Sequence, residues 1–435
     1  MQPALSIAAE WERLDEGSPE ERACFAALGI LCNNQWLTEG RDGFVNRIRT
    51  GPRVSTYHLA EWLAWNWWRL RWEPQSNAPD WAFAHRMTTI GEGYVWPNIT
   101  IVSDGERTAL IAKPTKDRLE TAFRYINDQA VIVPSLVFEG AVDQFISQVF
   151  GQLRAERVAD TNLDRLWSEL MNERRDREAT RRRKLEALLG HEPDQADPAV
   201  VDHLLDDARL LGERAVEELA ADHAQGGGLL TADDLRQLAE SSGFAASPGA
   251  AVRLASGFLP PQRDVAPWIL GANAARALRG QEGLGSGPVS NDRLAQLCGT
   301  ETRILTEDRH GRNLSFALDD DETEGRVVLR SPWPTGRRFE LARLLADRIV
   351  ASTHGGLHAA TRAYTYRQKM QRSFAAELLS PFEAVDEMLA GDFSGEAQQD
   401  AAEYFHVSEL TIRTLLVNNR RLRREELDEE LGAVA

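Results

Sequence analysis

Two histidines, His354 and His358, lie four residues apart, which is the spacing of two metal ligands on one face of a helix. On a helix they would share one face, and Asp347 would supply the third of about three protein ligands that a catalytic zinc ion takes. Two adjacent glycines separate them, however, and each weakens a helix by about 1 kcal/mol. No glutamate lies between them as a general base. We therefore predict a loop with exposed or hydrogen-bonded histidines, and we keep a metal site of His354, His358 and Asp347 as the alternative.

A second pair with chemical potential is Arg343 and Asp347, which lie in the segment R-R-F-E-L-A-R-L-L-A-D at residues 337–347. The segment is predicted to be helical, so residues four apart lie on one face. Arginine is a permanent cation without an acceptor atom and cannot ligate zinc. One carboxylate alone is too few ligands for a metal. We therefore predict an ion pair between the two side chains.

The surrounding segments resemble the ImmA/IrrE family of bacterial zinc metallopeptidases. That family has a helix R-F-x-L-A-H-E-x-x-H, followed by E-A-x-x-F-A-x-x-L-L-M-P. This chain has R-F-E-L-A at residues 338–342 and F-A-A-E-L-L-S-P at residues 374–381. The resemblance covers about residues 265–420, including two predicted strands, Leu314–Leu318 and Arg326–Arg330, that form a hairpin before the helix.

The resemblance places the family's H-E-x-x-H on residues 343–347, so Arg343 and Asp347 stand at the histidine positions and Leu344 at the glutamate. The third zinc ligand falls on or beside Met370 and Gln371. Leucine cannot accept a proton, and a thioether is a poor ligand in a zinc site of nitrogen and oxygen atoms. The resemblance therefore implies a zincin-like fold that has lost its ligands, with no cofactor and no catalytic residues.

Active members of that family act in regulation by cleaving repressors, often on mobile elements or in stress and phage responses. The resemblance implies that this chain is a bacterial regulatory or interaction protein. We expect it to bind a protein partner, such as a repressor, antitoxin or defence component, without cutting it. An active zinc endopeptidase with relocated ligands is one alternative.

A DNA-binding transcriptional regulator is the other alternative. Residues 400–418 have the pattern of two helices joined by a turn at Val407–Ser408, as in a helix-turn-helix. Arg413, Arg420 and Arg421 would then contact phosphates. Residues 174–184, which contain seven basic residues, are a second candidate for phosphate contacts. The competing interpretations are a packing unit of the peptidase fold and a solvated helix face with Glu/Arg pairs.

The elements that must position these residues form an α+β, mostly helical chain. We predict a Trp-rich α+β domain at residues 1–125, a helical connector at 126–225 and the peptidase-like domain at 226–435. An Asp-Gly turn at residues 104–105 between two β-prone runs predicts a hairpin in the first domain. The tryptophans there predict a large aromatic core, with a ligand pocket that includes His85 as the alternative.

The composition of the chain limits the kinds of partner that we expect it to bind. The chain has 435 residues and a formal net charge of −17, so nucleic-acid binding would need a local basic patch. The sequence has no run of about 18 apolar residues, so it does not predict a membrane-spanning helix. The three cysteines form no C-x-x-C pair, which favours a reducing cytoplasm. We expect a cytoplasmic protein that does not bind membranes.

Overall fold

A computed structural model of the chain describes residues 4–116, 121–255, 265–307, 313–320, 323–350 and 356–423. It forms two compact units, one made of Met1–Leu205 with Ala363–Thr365 and the other of Asp206–Arg362 with Tyr366–Ala435. Helices predominate and all strand pairs are antiparallel, so the predicted α+β, mostly helical class is confirmed. No helix in the described ranges is long and apolar enough to cross a membrane.

In the part of the first unit that the structure describes, there are three small antiparallel sheets and a layer of helices. The sheets have the strand orders β1-β2-β3, with β6 also paired to β2, then β10-β8-β7 and β5-β4-β9. The strands are β1 (Leu5–Trp11), β2 (Phe25–Cys32), β3 (Gln35–Trp36), β4 (Gly40–Asp42), β5 (Arg47–Arg49), β6 (Arg53–Ser55), β7 (Ile99–Ser103), β8 (Arg107–Ala112), β9 (Phe123–Tyr125) and β10 (Gln129–Pro134). The helices are α1 (Pro19–Ala23), α2 (Thr56–Trp65), α3 (Trp67–Trp72), α4 (Trp81–His85), α5 (Ser135–Ala155), α6 (Asn162–Arg175), α7 (Arg177–Leu188) and α8 (Pro198–Leu211), which continues across the boundary between the units.

The tryptophans of the first unit belong mainly to its core. Trp67 is buried and its ring stacks on Phe138 with centroids 6.5 Å apart. His85 is also buried, lies flat against Trp81 at 4.1 Å, and directs its ring nitrogens to the Ile101 carbonyl oxygen at 2.8 Å and to Glu73 at 3.0 Å. These contacts support the aromatic core rather than a ligand pocket. The predicted hairpin is also present, because β7 and β8 pair on either side of the Asp-Gly turn.

The described residues of the second unit form a four-stranded antiparallel sheet, in the order β11-β13-β12-β14, covered by helices. Its strands are β11 (Phe244–Ala246), β12 (Ser315–Asp319), β13 (Gly325–Val328) and β14 (Leu357–Ala360). Its helices are α9 (Glu213–His223), α10 (Ala232–Ser242), α11 (Pro267–Gln281), α12 (Asn291–Leu297), α13 (Arg303–Thr306), α14 (Pro334–Val350), α15 (Tyr366–Leu379), α16 (Phe382–Leu389), α17 (Gly395–Phe405) and α18 (Glu409–Asn418). The boundary between the units falls after Leu205, whereas the predicted helical connector runs to residue 225. Helix α9 belongs to the second unit because its apolar face packs against β14.

Helix α15 is central to the second unit, since both α11 and α14 pack along it. Gly271 of α11 permits a close approach: a Cβ atom there would lie 2.3 Å from the Met370 carbonyl oxygen of α15. Phe374 and Leu378 of α15 are completely buried in the apolar core, together with Leu341 of α14. Rigid packing of this kind fixes α14 and α15, which carry the candidate site.

All three cysteines are buried. Cys24 and Cys32 lie in the first unit, and Cys298 lies in the second. Burial raises the pKa of Cys24 and of Cys298 to about 12, and it raises that of Cys32 as well. They are therefore core residues with protonated thiols.

Candidate functional site: a buried polar cluster

Asp347 lies at the centre of a polar cluster between α14, β14 and α15. Its carboxylate is 0% exposed. Oδ1 accepts hydrogen bonds from Arg367 Nε and from Gln371 Nε2 at 2.9 Å, and Oδ2 accepts from Arg367 Nη2 and from His358 Nδ1 at 2.7 Å. An ionised carboxylate offers about four lone-pair positions. The protein itself therefore fills the whole acceptor capacity of Asp347.

His358 reaches this cluster from a strand, so the predicted loop is wrong at this residue. Residues 357–360 form β14, which pairs with β12 so that His358 lies opposite Ala317. The short apolar sequence Leu-His-Ala-Ala completes the edge of the sheet, and this long-range pairing outweighs the preceding glycines. His354 lies outside the described residues.

Asp347 and His358 each stabilise the charged form of the other. Burial would by itself raise the pKa of Asp347, but the Arg367 guanidinium and the hydrogen bonds from Arg367 and His358 hold it well below its usual range. Burial would lower the pKa of His358, yet the carboxylates of Asp319 and Asp347 raise it above the ordinary value of 6.5. The Asp319 oxygen lies 3.6 Å from His358 Nε2. Both ring nitrogens therefore face carboxylates, which favours the imidazolium form.

The predicted ion pair between Arg343 and Asp347 is wrong. Asp347 instead binds Arg367 of α15, whose Nε and Nη2 atoms contact both carboxylate oxygens. A planar fork that faces the carboxylate from another helix makes this bidentate geometry, which is the stronger form of the pair. Arg343 turns away and donates through Nη2 to the Thr361 carbonyl oxygen, 2.6 Å away, and to Gln368 Oε1.

The other residues at the predicted ligand positions are buried within the second unit. Leu344 and Met370 are buried in the apolar core of the second unit. Gln371 is completely buried, and its Nε2 atom bonds Asp347 and also the Ala359 carbonyl oxygen at 3.1 Å. Within the part of the chain that the structure describes, no group of three or more His, Cys, Asp or Glu side chains is arranged to hold a metal. The donor set at these positions does not fit zinc, because arginine, leucine and methionine occupy them.

Arg367 and Gln368 are site residues that the sequence analysis missed. A signal was available, because Arg367 and Gln371 lie four residues apart and therefore on one face of α15. The F-A-A-E-L-L pattern identifies that helix, but the sequence alone does not show that this face meets Asp347.

The helix-turn-helix-like segment has the predicted elements, α17 and α18, joined by a turn. Arg413 is half-buried and donates to Gln398 Oε1 at 3.3 Å, Arg420 is exposed, and Arg421 forms a bidentate pair with Asp386. Residues 382–418 contain a single Lys or Arg, which is Arg413. They contain eight acidic residues: Glu383, Asp386, Glu387, Asp392, Glu396, Asp400, Glu403 and Glu409. Such a surface repels phosphates, but Arg420, Arg421 and Arg423 follow it directly, so DNA binding stays a prediction.

The basic segment at residues 174–184 is engaged within its own unit. Arg174 forms a bidentate pair with Asp143 and lies 4.2 Å from the Trp67 ring centroid. Arg183 contacts three carboxylates, those of Glu173, Glu186 and Asp194. These pairs support the interpretation of an ion-paired helix face.

Comparison of the chain with protein-family models, with curated proteins and with solved structures finds no match.

Proposed function

We propose that this chain is a catalytically inactive, metallopeptidase-like regulatory protein that binds a protein partner in a bacterial stress, mobile-element or phage response. The observation that carries the proposal is the saturated carboxylate of Asp347. At the position where the resemblance would put a zinc ligand, four donors from three side chains fill the acceptor positions of this residue. A metal ion would have to displace these hydrogen bonds and an arginine cation.

The order of elements supports the peptidase-like part of the proposal. The hairpin β12–β13 precedes α14, which carries R-F-E-L-A, and α15 then carries F-A-A-E-L-L. This is the order that the resemblance implies. Helix α15 brings Gln371, at or beside the position of the third ligand, within 2.9 Å of Asp347. The proposal therefore combines a peptidase-like arrangement with residues that cannot perform the chemistry.

A hairpin of the first unit supports the binding of a protein partner. Residues 43–48, which comprise the turn after β4 and the start of β5, expose Phe44, Val45 and Ile48, with Phe44 at 87%. Scattered exposed apolar residues are ordinary, but three within six residues form a local patch. Aromatic and aliphatic side chains of this kind commonly anchor protein interfaces.

Candidate repressors encoded beside the gene provide the test. We expect one of them to bind the purified chain in isothermal titration calorimetry and to remain intact on prolonged incubation with added zinc. Phe44→Ser with Ile48→Ser should weaken that binding, whereas Leu136→Ser, which changes an equally exposed side chain on α5, should not. Stoichiometric zinc in elemental analysis of the purified protein, together with cleavage of the repressor, would overturn the proposal.

A further inference from the structure

Arg343 is a buried cation that forms no ion pair with a described carboxylate. Its side chain belongs to α14, and the residue is 4% exposed. Both of its described hydrogen bonds leave from Nη2 and end on neutral acceptors, the Thr361 carbonyl and the Gln368 amide. Its Nε atom is buried without a hydrogen-bond partner. An unpaired buried charge is costly, so this arrangement requires an explanation.

Two other buried arginines of the same unit show how a guanidinium group is satisfied by hydrogen bonds within the protein. Arg279 donates from Nε, Nη1 and Nη2 to the carbonyl oxygens of Leu378, Gly285 and Gly287. Arg338 likewise donates from all three nitrogens. Arg343 uses only one of its three nitrogens in this way, and so it differs from both.

Charges of both signs act on Arg343, and none of the described carboxylates forms an ion pair with it. Arg372, which is half-buried, also donates to the Thr361 carbonyl oxygen, at 3.2 Å. Burial first, and then the charge of Arg372, lower the pKa of Arg343 to about 9, and Arg330 acts in the same direction. Glu340 and Glu218 oppose this effect. Glu340, however, is already bonded to Ser315 Oγ at 2.7 Å and to Arg330 at 3.1 Å.

The same cluster holds further buried donors without a partner. Arg367 Nη1 and Arg348 Nε are buried and lack a hydrogen-bond acceptor, as Arg343 Nε does. Arg367 binds Asp347, while Arg348 binds Asp319, the second carboxylate that faces His358. Three guanidinium groups in one cluster thus keep unused N–H donors, in a chain whose net charge is −17. Desolvated cationic donors of this kind recognise oxyanions.

We propose that the Arg343 cluster, made of Arg343, Arg348, Arg367 and Arg372, binds an oxyanion, which is a carboxylate or phosphate group of a ligand or partner. That group gives Arg343 the ion pair that no described carboxylate makes with it. The inference rests on the proposed function, because it gives the ligand chemistry of the same vestigial site. Arg372 is half-buried, so the cationic cluster is not confined to the interior. The fixed Thr361 carbonyl and the Gln368 amide orient Arg343 for that contact.

The test titrates the intact protein by calorimetry with inorganic phosphate and, separately, with glutarate, at an ionic strength held constant with sodium chloride. We expect saturable 1:1 binding of one of them, and the two arms separate a phosphate from a carboxylate ligand. Arg343→Met should weaken it about tenfold or more, the effect of losing a charge-assisted hydrogen bond. Arg236→Met removes the same charge from the exposed surface of α10 and should leave binding unchanged.

Arg372→Gln provides a second variant, which changes a half-buried residue and keeps the test decisive if Arg343→Met fails to fold. We expect it to weaken binding as well. Absence of saturable binding in both arms, or equal affinity in the wild-type protein and Arg343→Met, would overturn the inference. A zinc-free protein that binds a repressor but neither anion would refute the oxyanion site alone, whereas stoichiometric zinc with proteolysis would refute the proposed function.

Discussion

His358 and Asp347 form a charge pair whose two members come from β14 and α14. The imidazole lies between two carboxylates, those of Asp347 and Asp319, at 2.7 and 3.6 Å. Arg367 and Arg348 oppose these carboxylates from the other side. The pair therefore belongs to an alternating chain of charges, and protonation of His358 favours the folded state.

Protonation of His358 makes the free energy of unfolding depend on pH, and the direction of that dependence follows from the raised pKa. Because the folded-state pKa of His358 lies above 6.5, its contribution to the free energy of unfolding is complete below that pH. The contribution is lost as the pH rises through the raised folded-state pKa. We predict that urea denaturation will show falling stability over this interval in the wild-type protein, and a flatter profile in His358→Gln. An equally steep decline in the variant would show that another group causes the effect.

The sequence predicted only part of this residue-scale arrangement. Local rules singled out Asp347 and His358 as candidate site residues, and the four-residue spacing placed Arg343 near Asp347 on one helix. The ion pair actually forms with Arg367, which is 20 residues away in the chain. Pairing across helices depends on packing, and local spacing carries no information about it.

At the scale of elements, α11 and α15 pack so closely that glycine is needed at their contact. A Cβ atom on Gly271 would lie 2.3 Å from the Met370 carbonyl oxygen and 2.8 Å from the Phe374 nitrogen. Both atoms are backbone, so α15 itself would have to move. Because α15 carries Arg367 and Gln371, such a movement would also disturb the polar cluster.

Gly271→Ala is therefore expected to lower the free energy of unfolding by about 1–3 kcal/mol, the typical cost of overpacking. The matched control is Gly280→Ala in the same helix, where a Cβ atom meets nothing within 4 Å. There the better helix propensity of alanine should add up to about 1 kcal/mol. Equilibrium urea denaturation of both variants provides the measurement, and equal effects at the two positions would contradict the packing argument.

Element type was predictable because local signals agreed with the fold. Thr231 and Asp234 form a capping box at the start of α10, and the strands of the hairpin before α14 lie within one or two residues of the predicted ranges. Strand β14 was missed because its four residues pair with β12, about 40 positions earlier in the chain. Short strands that depend on a distant partner carry little local signal.

At the scale of the whole molecule, charge is distributed unevenly. The helices at residues 382–418 are strongly acidic, while arginines gather around Arg343 in the core of the same unit. The net charge of −17 predicted that nucleic-acid binding would need a local basic patch, and composition gave no indication of the buried cationic cluster. Net charge is a sum over the whole chain, whereas the cluster depends on where the fold places its members.

The three buried cysteines give each unit its own chemical reporter. A protonated thiol enclosed in the core reacts with a disulfide reagent only when its surroundings open. We expect the two thiols of the first unit, Cys24 and Cys32, to become labelled in one kinetic phase and Cys298 of the second unit in another, as peptide mass spectrometry after timed labelling would show. Gly271→Ala should accelerate only the labelling of Cys298, since the altered contact lies in that unit. If all three thiols responded equally, the two units would open together, and the chain would behave as a single cooperative body.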